Sequence, residues 1–375
     1  MNRIIVRGGG IAVAALLAAV AIAGPLDPPA GPVTSTNKTL QEVEPRIAVT
    51  PSNTPGSATA LFVISSPGSY YLTGNINGSV GKNGIEIAAS GVTLDLNGFD
   101  LAGPGSGAAV DGVHVDSGGF TNIAIVNGSV RNWTGDGIDT ITGTASNTRV
   151  EKIMSSGNAG NGIALGLSST ATRCIVKSNS QHGVFASGYC TFTDCTVDNN
   201  GGNGINCATG CTVTGCTLAL NSTGVSTSPS CLISNCTLTG NAAYGIQVSA
   251  GSTVTGCNVR GSGYDGIQCS SSCVIRDNSC DTSGSVGVGS GVHATGTSNL
   301  ISGNNCTNGD LGITLDQSRN IVTRNTCSAN PTNWSIATGN SVAPIVSATT
   351  NPSPISGNTY AGSLGSTDPN ANFTY

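Results

Sequence analysis

The 375-residue chain carries a formal net charge of −5 with only 9% charged residues, so it offers no basic patch suited to a nucleic acid. Its 54 glycines and 4% aromatics could suit a disordered, low-complexity polymer. Against that, hydrophobic residues make up 38% of the chain and recur at fixed phases, which predicts a packed fold.

The first residues read as an export signal. Arg3 and Arg7 precede the apolar run Ile11 to Ala21, and Ala21-Ile22-Ala23 is an A-x-A-like cleavage site. The run is short for a membrane span, and no later stretch is apolar enough to be one. Residues 1–23 are therefore assigned as a signal peptide and 24–82 as a lead-in and N-terminal cap, with one short helix predicted at Lys38 to Val43. Leu61 to Ile76 reads as two strands around the turn Ser66-Pro67-Gly68.

From Gly84 a repeat takes over. Glycine followed by isoleucine or valine recurs at Gly84, Gly112, Gly137, Gly162, Gly183, Gly204, Gly224, Gly245, Gly266, Gly291 and Gly312. The basic step is 20 or 21 residues; longer steps carry insertions around Gly103 to Gly107, Gly143 to Asn147 and Ser283 to Gly289. Insertions in a repeat map to loops, often on the binding side. Within each unit apolar residues alternate with variable ones, the period of a strand with one face buried. Leucine is too scarce for leucine-rich repeats, and propeller blades need about twice the length. The pattern predicts an all-β parallel β-helix of about eleven coils over residues 83–330, with 331–375 as a C-terminal capping segment. Trp334 is expected on the last coil.

Aligned by coil, the cysteines form ladders. One is Cys174, Cys195, Cys216, Cys236 and Cys257, continued by Asn278, Asn304 and Asn325. Others are Cys280, Cys306, Cys327 and Cys190, Cys211, Cys231, Cys273. Free cysteine behaves as a small buried hydrophobe, which suits interior rungs. Neighbouring rungs, and the pairs Cys207–Cys211 and Cys269–Cys273, also lie within disulfide reach, so both thiol and disulfide states stay open. Metal-binding spacing is absent.

The repeat G-[IV]-x-[VLC], with N-x-[TC] or C-T-[VL] on the following strand, resembles the right-handed parallel β-helix superfamily, which includes pectate lyases, polygalacturonases and alginate epimerases. More narrowly, GPLDPPAGPV, PGSYYLTGNI, NGIEIAASGVTLDLNGFDL and STDPNANFTY are similar to segments of exported bacterial right-handed β-helix repeat proteins. The resemblance implies the fold. It does not carry over an activity: Gln181-His182-Gly183 lacks the aspartate pair and R-I-K of polygalacturonases, and Asp111-Gly112-Val113-His114 is not the D-P-H-D of alginate epimerases. No aspartate cluster supports the calcium of pectate lyases, so no cofactor is assigned.

One surface line stands out. The outward residues of three successive coils are Glu86, His114 and Asp139, expected about 5 Å apart per rung. A carboxylate–imidazole–carboxylate row suits general acid or base work. Asp116 shares the face, and Arg131 and Trp133 enter the Asp139 strand, where an arginine could hold a sugar carboxylate and an indole a pyranose ring. The line continues as Ala164, Phe185, Asn206, Ser226, Gln247, Gln268, His293 and Thr314, with His293 lacking acidic neighbours in it. Asp111, Asp136 and Asp265 read as turn residues. Two functions are expected from this. One is a monomeric, exported, non-catalytic scaffold of a bacterial surface or periplasm that binds polysaccharide or cell-surface glycan. The other is a lyase, epimerase or hydrolase of an acidic glycan acting at Glu86, His114 and Asp139.

Overall fold

The computed structural model describes residues 44–347 and 366–375. The signal peptide, the GPLDPPAGPV segment and the Lys38–Val43 helix expectation lie outside the described residues. The chain divides into two units, residues 1–45 and Arg46–Tyr375, and the second is the solenoid.

Each coil contributes one strand to a thirteen-stranded sheet and, in most coils, two short strands to a twenty-six-stranded sheet. Neighbouring strands pair in parallel and in register: Ile85 with Val113, Ile138 with Ile163, Ile205 with Val225. Their β-branched side chains point inward. Ile85, Val113, Ile138, Ile163, Ile205 and Ile246 are fully buried, each contributing about 1.5–3 kcal/mol of transfer free energy. The thirteen rungs exceed the eleven expected because strands Ala60–Ile64 and Thr332–Ile336 extend the sheet at either end without the Gly-Ile signature. The Ser66-Pro67-Gly68 turn accordingly does not close a hairpin. The strand before it pairs with Asn83–Ile87, while Gly68–Tyr71 pairs with Val92–Asp95 in the other sheet. Trp334 pairs with Ile313 and packs half-buried against the core.

The repeated glycine has a steric cause. A Cβ on Gly84 would stand 2.5 Å from the Gly112 carbonyl oxygen, and one on Gly112 would stand 2.5 Å from that of Gly137. Each coil enters the thirteen-stranded sheet with its backbone pressed on the next, so a side chain there has no space.

Side-chain ladders close the corners. The amide Nδ2 of Asn158 donates to Asn179 Oδ1 at 2.9 Å, Asn179 to Asn200 at 2.9 Å and Asn200 to Asn221 at 3.0 Å. A second ladder runs Asn278, Asn304, Asn325 and ends on Asn372, from the chain's last strand, at 3.2 Å. All fourteen cysteines are buried free thiols. Several donate to backbone carbonyls, as Cys195 Sγ does to Ala171 at 3.5 Å. Contact with Cys306, then burial, push the Cys280 thiol well up, which keeps it protonated.

Candidate functional site

The outer face of the thirteen-stranded sheet carries the candidate residues. Its register sets Glu86 beside His114 and His114 beside Asp139. His114 Nδ1 lies 3.0 Å from Asp111 Oδ2 and 3.6 Å from Asp139 Oδ2. Asp111, three residues earlier on the same coil, is the stronger partner. The hydrogen bond to Asp111 raises the His114 pKa; burial opposes it, and the charges of Asp111, Asp139 and then Glu86 add to the rise. The His114 Nε2 has no hydrogen-bond partner among the described residues.

Each acid is positioned by its backbone. Asp139 is 5% exposed, and its Oδ1 accepts from the N–H groups of Ile141 (2.8 Å) and Thr142 (3.2 Å), at the start of the Gly143 insertion. That insertion packs on the carbonyls of Val115 and Asp116, so close that Gly143 has no space for a Cβ. Asp111 Oδ1 accepts from the Asp136 N–H at 2.7 Å, and Asp136 Oδ1 from the Asn161 N–H at 2.5 Å. These aspartates do form the turn ladder that sequence suggests, yet they also belong to the site. Burial pushes Asp136 up to about 6 against the hydrogen bonds from Asn161, helped by the negative charges of Asp111 and Asp139. One ligand atom from each of Asp111, His114 and Asp139 lies within 4.8 Å of the others, a spacing that would also accommodate a cation.

The other expected residues do not join this cluster. Glu86 accepts a long hydrogen bond from Thr59 Oγ1 at 3.4 Å. Asp116 caps the Ser117 N–H at 2.7 Å. Arg131 ends a strand of the twenty-six-stranded sheet and pairs there with Asp100 at 2.8 Å, on a different face from His114. Trp133 is 1% exposed, its Nε1 donating to the Leu101 carbonyl at 3.0 Å. It lies inside the solenoid beneath Gly84 and Gly112 and presents no ring face to a sugar. The residue before the repeat glycine was the missed signal: Asp111, Asp136 and Asn161 are linked from coil to coil, and Asp111 and Asp265 reach histidines of the outward line.

His293 has only Gln268 and Thr314 beside it in the line, as expected, but acids from outside the line reach it. Its Nδ1 lies 2.9 Å from Asp265 Oδ2 and its Nε2 lies 2.9 Å from Asp316 Oδ2. The hydrogen bond to Asp265 dominates, outweighs burial and, with the charges of both acids, lifts His293 to about 9. Between the two clusters the face carries Phe185, 38% exposed and stacked on His182 with centroids 5.7 Å apart. His182 accepts the Asn203 N–H on Nδ1 at 2.9 Å, and burial lowers its pKa.

Among the described residues no helix is long and apolar enough to cross a membrane. No curated protein sequence matches the chain. Solved structures do. The chain is similar to the A-module of mannuronan C-5 epimerase AlgE4 from Azotobacter vinelandii, at 16% identity and TM-score 0.56, over 80% of this chain and 88% of that one. The AlgE6 A-module from the same organism matches at 16% identity and TM-score 0.55, over the same shares. A double mutant of the tailspike protein of the E. coli bacteriophage HK620 matches at 11% identity and TM-score 0.56, over 82% of this chain and 72% of that one. At these identities the likeness is one of fold. The profile of the right-handed β-helix region matches residues 62–223 and 218–373. With its parallel coils, inward Ile/Val rungs and asparagine ladders, the chain belongs to the right-handed β-helix family.

Proposed function

We propose that this is an exported protein that binds a polysaccharide along the outer face of the thirteen-stranded sheet and transfers protons to or from it at the Asp111–His114–Asp139 cluster. One observation carries the reading: His114 is held on Nδ1 between two carboxylates while its Nε2 is left without a protein partner. A carboxylate on one ring nitrogen fixes the tautomer and favours the charged ring, so the other nitrogen acts on substrate. The cluster sets Asp111, Asp136 and Asp139 against a single imidazole, with the charge of Glu86 nearby and no lysine or arginine among its contacts. That charge favours a neutral glycan; a uronate chain would need a bridging cation. Incubation with neutral polysaccharides and with polyuronates tests the reading. The expected product is either new reducing ends or an unsaturated, ultraviolet-absorbing sugar, lost in His114→Ala.

A second reading, binding without chemistry, has its own support in the exposed Phe185 stacked on His182 amid a row of amides and hydroxyls. An aromatic face beside hydrogen-bonding groups suits a sugar ring. Polysaccharide retention that is unaffected by His114→Ala, with no product formed, would favour it.

A further inference from the structure

A cavity of about 440 Å³ opens on the outer face of the twenty-six-stranded sheet, lined by Asp100, Ser129, Arg131, Met154, Ser156, Ile175 and Lys177. The strand register gathers these residues into two adjacent rows. Asp100 pairs with Ser129, Ser129 with Met154 and Met154 with Ile175. Two positions further along the same strands, Arg131 pairs with Ser156 and Ser156 with Lys177. Val130, Ser155 and Val176, which lie between the rows, are fully buried, so both rows face solvent.

The rows differ in chemistry. Met154 and Ile175, 52% and 43% exposed, make an aliphatic floor. The fold does not require it, because the same row continues as Thr196, Thr217 and Thr237. Methionine suits an adaptable contact surface. In the second row Ser156 stands between Arg131 and Lys177, whose strands are two rungs, about 9.6 Å, apart. Asp100 holds one side of the guanidinium: its Oδ2 accepts from Arg131 Nε at 2.8 Å and lies 2.8 Å from Nη2, while Ser129 Oγ donates to Oδ1 at 2.7 Å. Arg131 Nη1, Ser156 Oγ and Lys177 Nζ have no hydrogen bond or ion pair among the described residues. Asp198, the register partner of Lys177 on the next rung, makes no ion pair with it. The lining therefore sets two cations against one carboxylate, and Arg131 already neutralises that carboxylate. An oriented guanidinium, a hydroxyl and an ammonium beside an aliphatic floor match a carboxylate carried on a body with an apolar face.

We infer that this cavity is an anion-binding site, seating a ligand carboxylate over Ser156 between Arg131 and Lys177 and the ligand's C–H face on Met154 and Ile175. The site lies on a different face from the His114 cluster and has the opposite charge, so it does not depend on the function proposed above. A uronate unit of an acidic glycan and a free aliphatic acid both present this chemistry.

Isothermal titration of the full chain with trigalacturonate, octanoate and the neutral cellotriose tests the site. At least one of the two acids is expected to bind, and cellotriose far more weakly. Binding of trigalacturonate without octanoate supports the site and identifies an acidic glycan as its ligand; the reverse supports it and identifies a free acid. Lys177→Gln is expected to weaken the binding about tenfold, the loss of one hydrogen bond to a charged group. Met154→Thr, which installs the residue found in the later rungs, should weaken it as well. Both positions are exposed, so neither change threatens the fold. Arg260→Gln, which removes an exposed cation elsewhere on the same sheet, and His114→Ala should leave it unchanged. Binding of neither acid, equal binding of cellotriose, or an affinity that neither lining variant alters overturns the site and spares the proposed function. An equal loss in Arg260→Gln overturns it too, since attraction to the cations of the whole sheet would then explain the binding.

Discussion

His114 Nδ1 lies 3.0 Å from Asp111 Oδ2, a contact made within one coil, whereas the register-matched Asp139 stands at 3.6 Å. The imidazole is therefore governed first by the residue preceding the repeat glycine and only second by the neighbouring coil. In Asp111→Asn the His114 pKa should fall back toward the ordinary imidazole value. Asp139→Asn should move it less. Ring-proton titration by NMR of the two variants checks the order, and a larger effect from Asp139 would refute it.

The second histidine makes stability depend on pH. His293 is lifted to about 9 in the folded chain, against an ordinary 6.5. A raised histidine stabilises the fold fully below about pH 6.5 and loses that contribution as pH rises through 9. With Asp316 partly exposed, screening reduces the effect to about 1 kcal/mol. Melting curves should show a decline in Tm between pH 7 and 9.5 that His293→Gln removes. An unchanged slope in the variant would place its origin elsewhere.

The asparagine ladders carry the corners. Asn200 Oδ1 accepts both the N–H and the Nδ2 of Asn179, and its own Nδ2 reaches Asn221. Asn200→Ala strands two buried donors, at a cost of about 2–6 kcal/mol if each orphan costs 1–3. Solenoid coils hold only their neighbours, so the loss should also split the unfolding transition. Chemical denaturation followed by circular dichroism would show it.

The thiol ladders make a chemical prediction. All fourteen cysteines are buried and free. An aromatic disulfide reagent should find no fast-reacting thiol in the native protein and fourteen once it is unfolded. Each missing pair of thiols would indicate one disulfide.

Much of the fold was legible because a solenoid repeats its constraints. The Gly-Ile phase marks where backbone meets backbone, and the cysteine-to-asparagine ladder reads directly as stacked rungs. The two end rungs were not legible, since Ala60 and Thr332 enter their strands without the glycine. The site was legible only along the outward line. Glu86, His114 and Asp139 share a period and so could be aligned. The Asp111–His114 and Asp265–His293 contacts depend on how the chain bends around Gly112 and Gly266, which periodicity does not encode. Arg131 and Trp133 stand apart from the His114 cluster for the same reason. Two residues apart, one ends a strand on another face and the other turns into the core.

The central claim is that His114 performs proton transfer on a bound polysaccharide, and turnover by His114→Ala against the wild-type chain tests it most directly. The comparison needs the polymer that the wild-type protein binds, followed by reducing-end release and ultraviolet absorbance. The account predicts product from the wild type and a loss of about 10²–10⁴-fold in the variant, with polymer affinity retained. Equal turnover by the two proteins would contradict it.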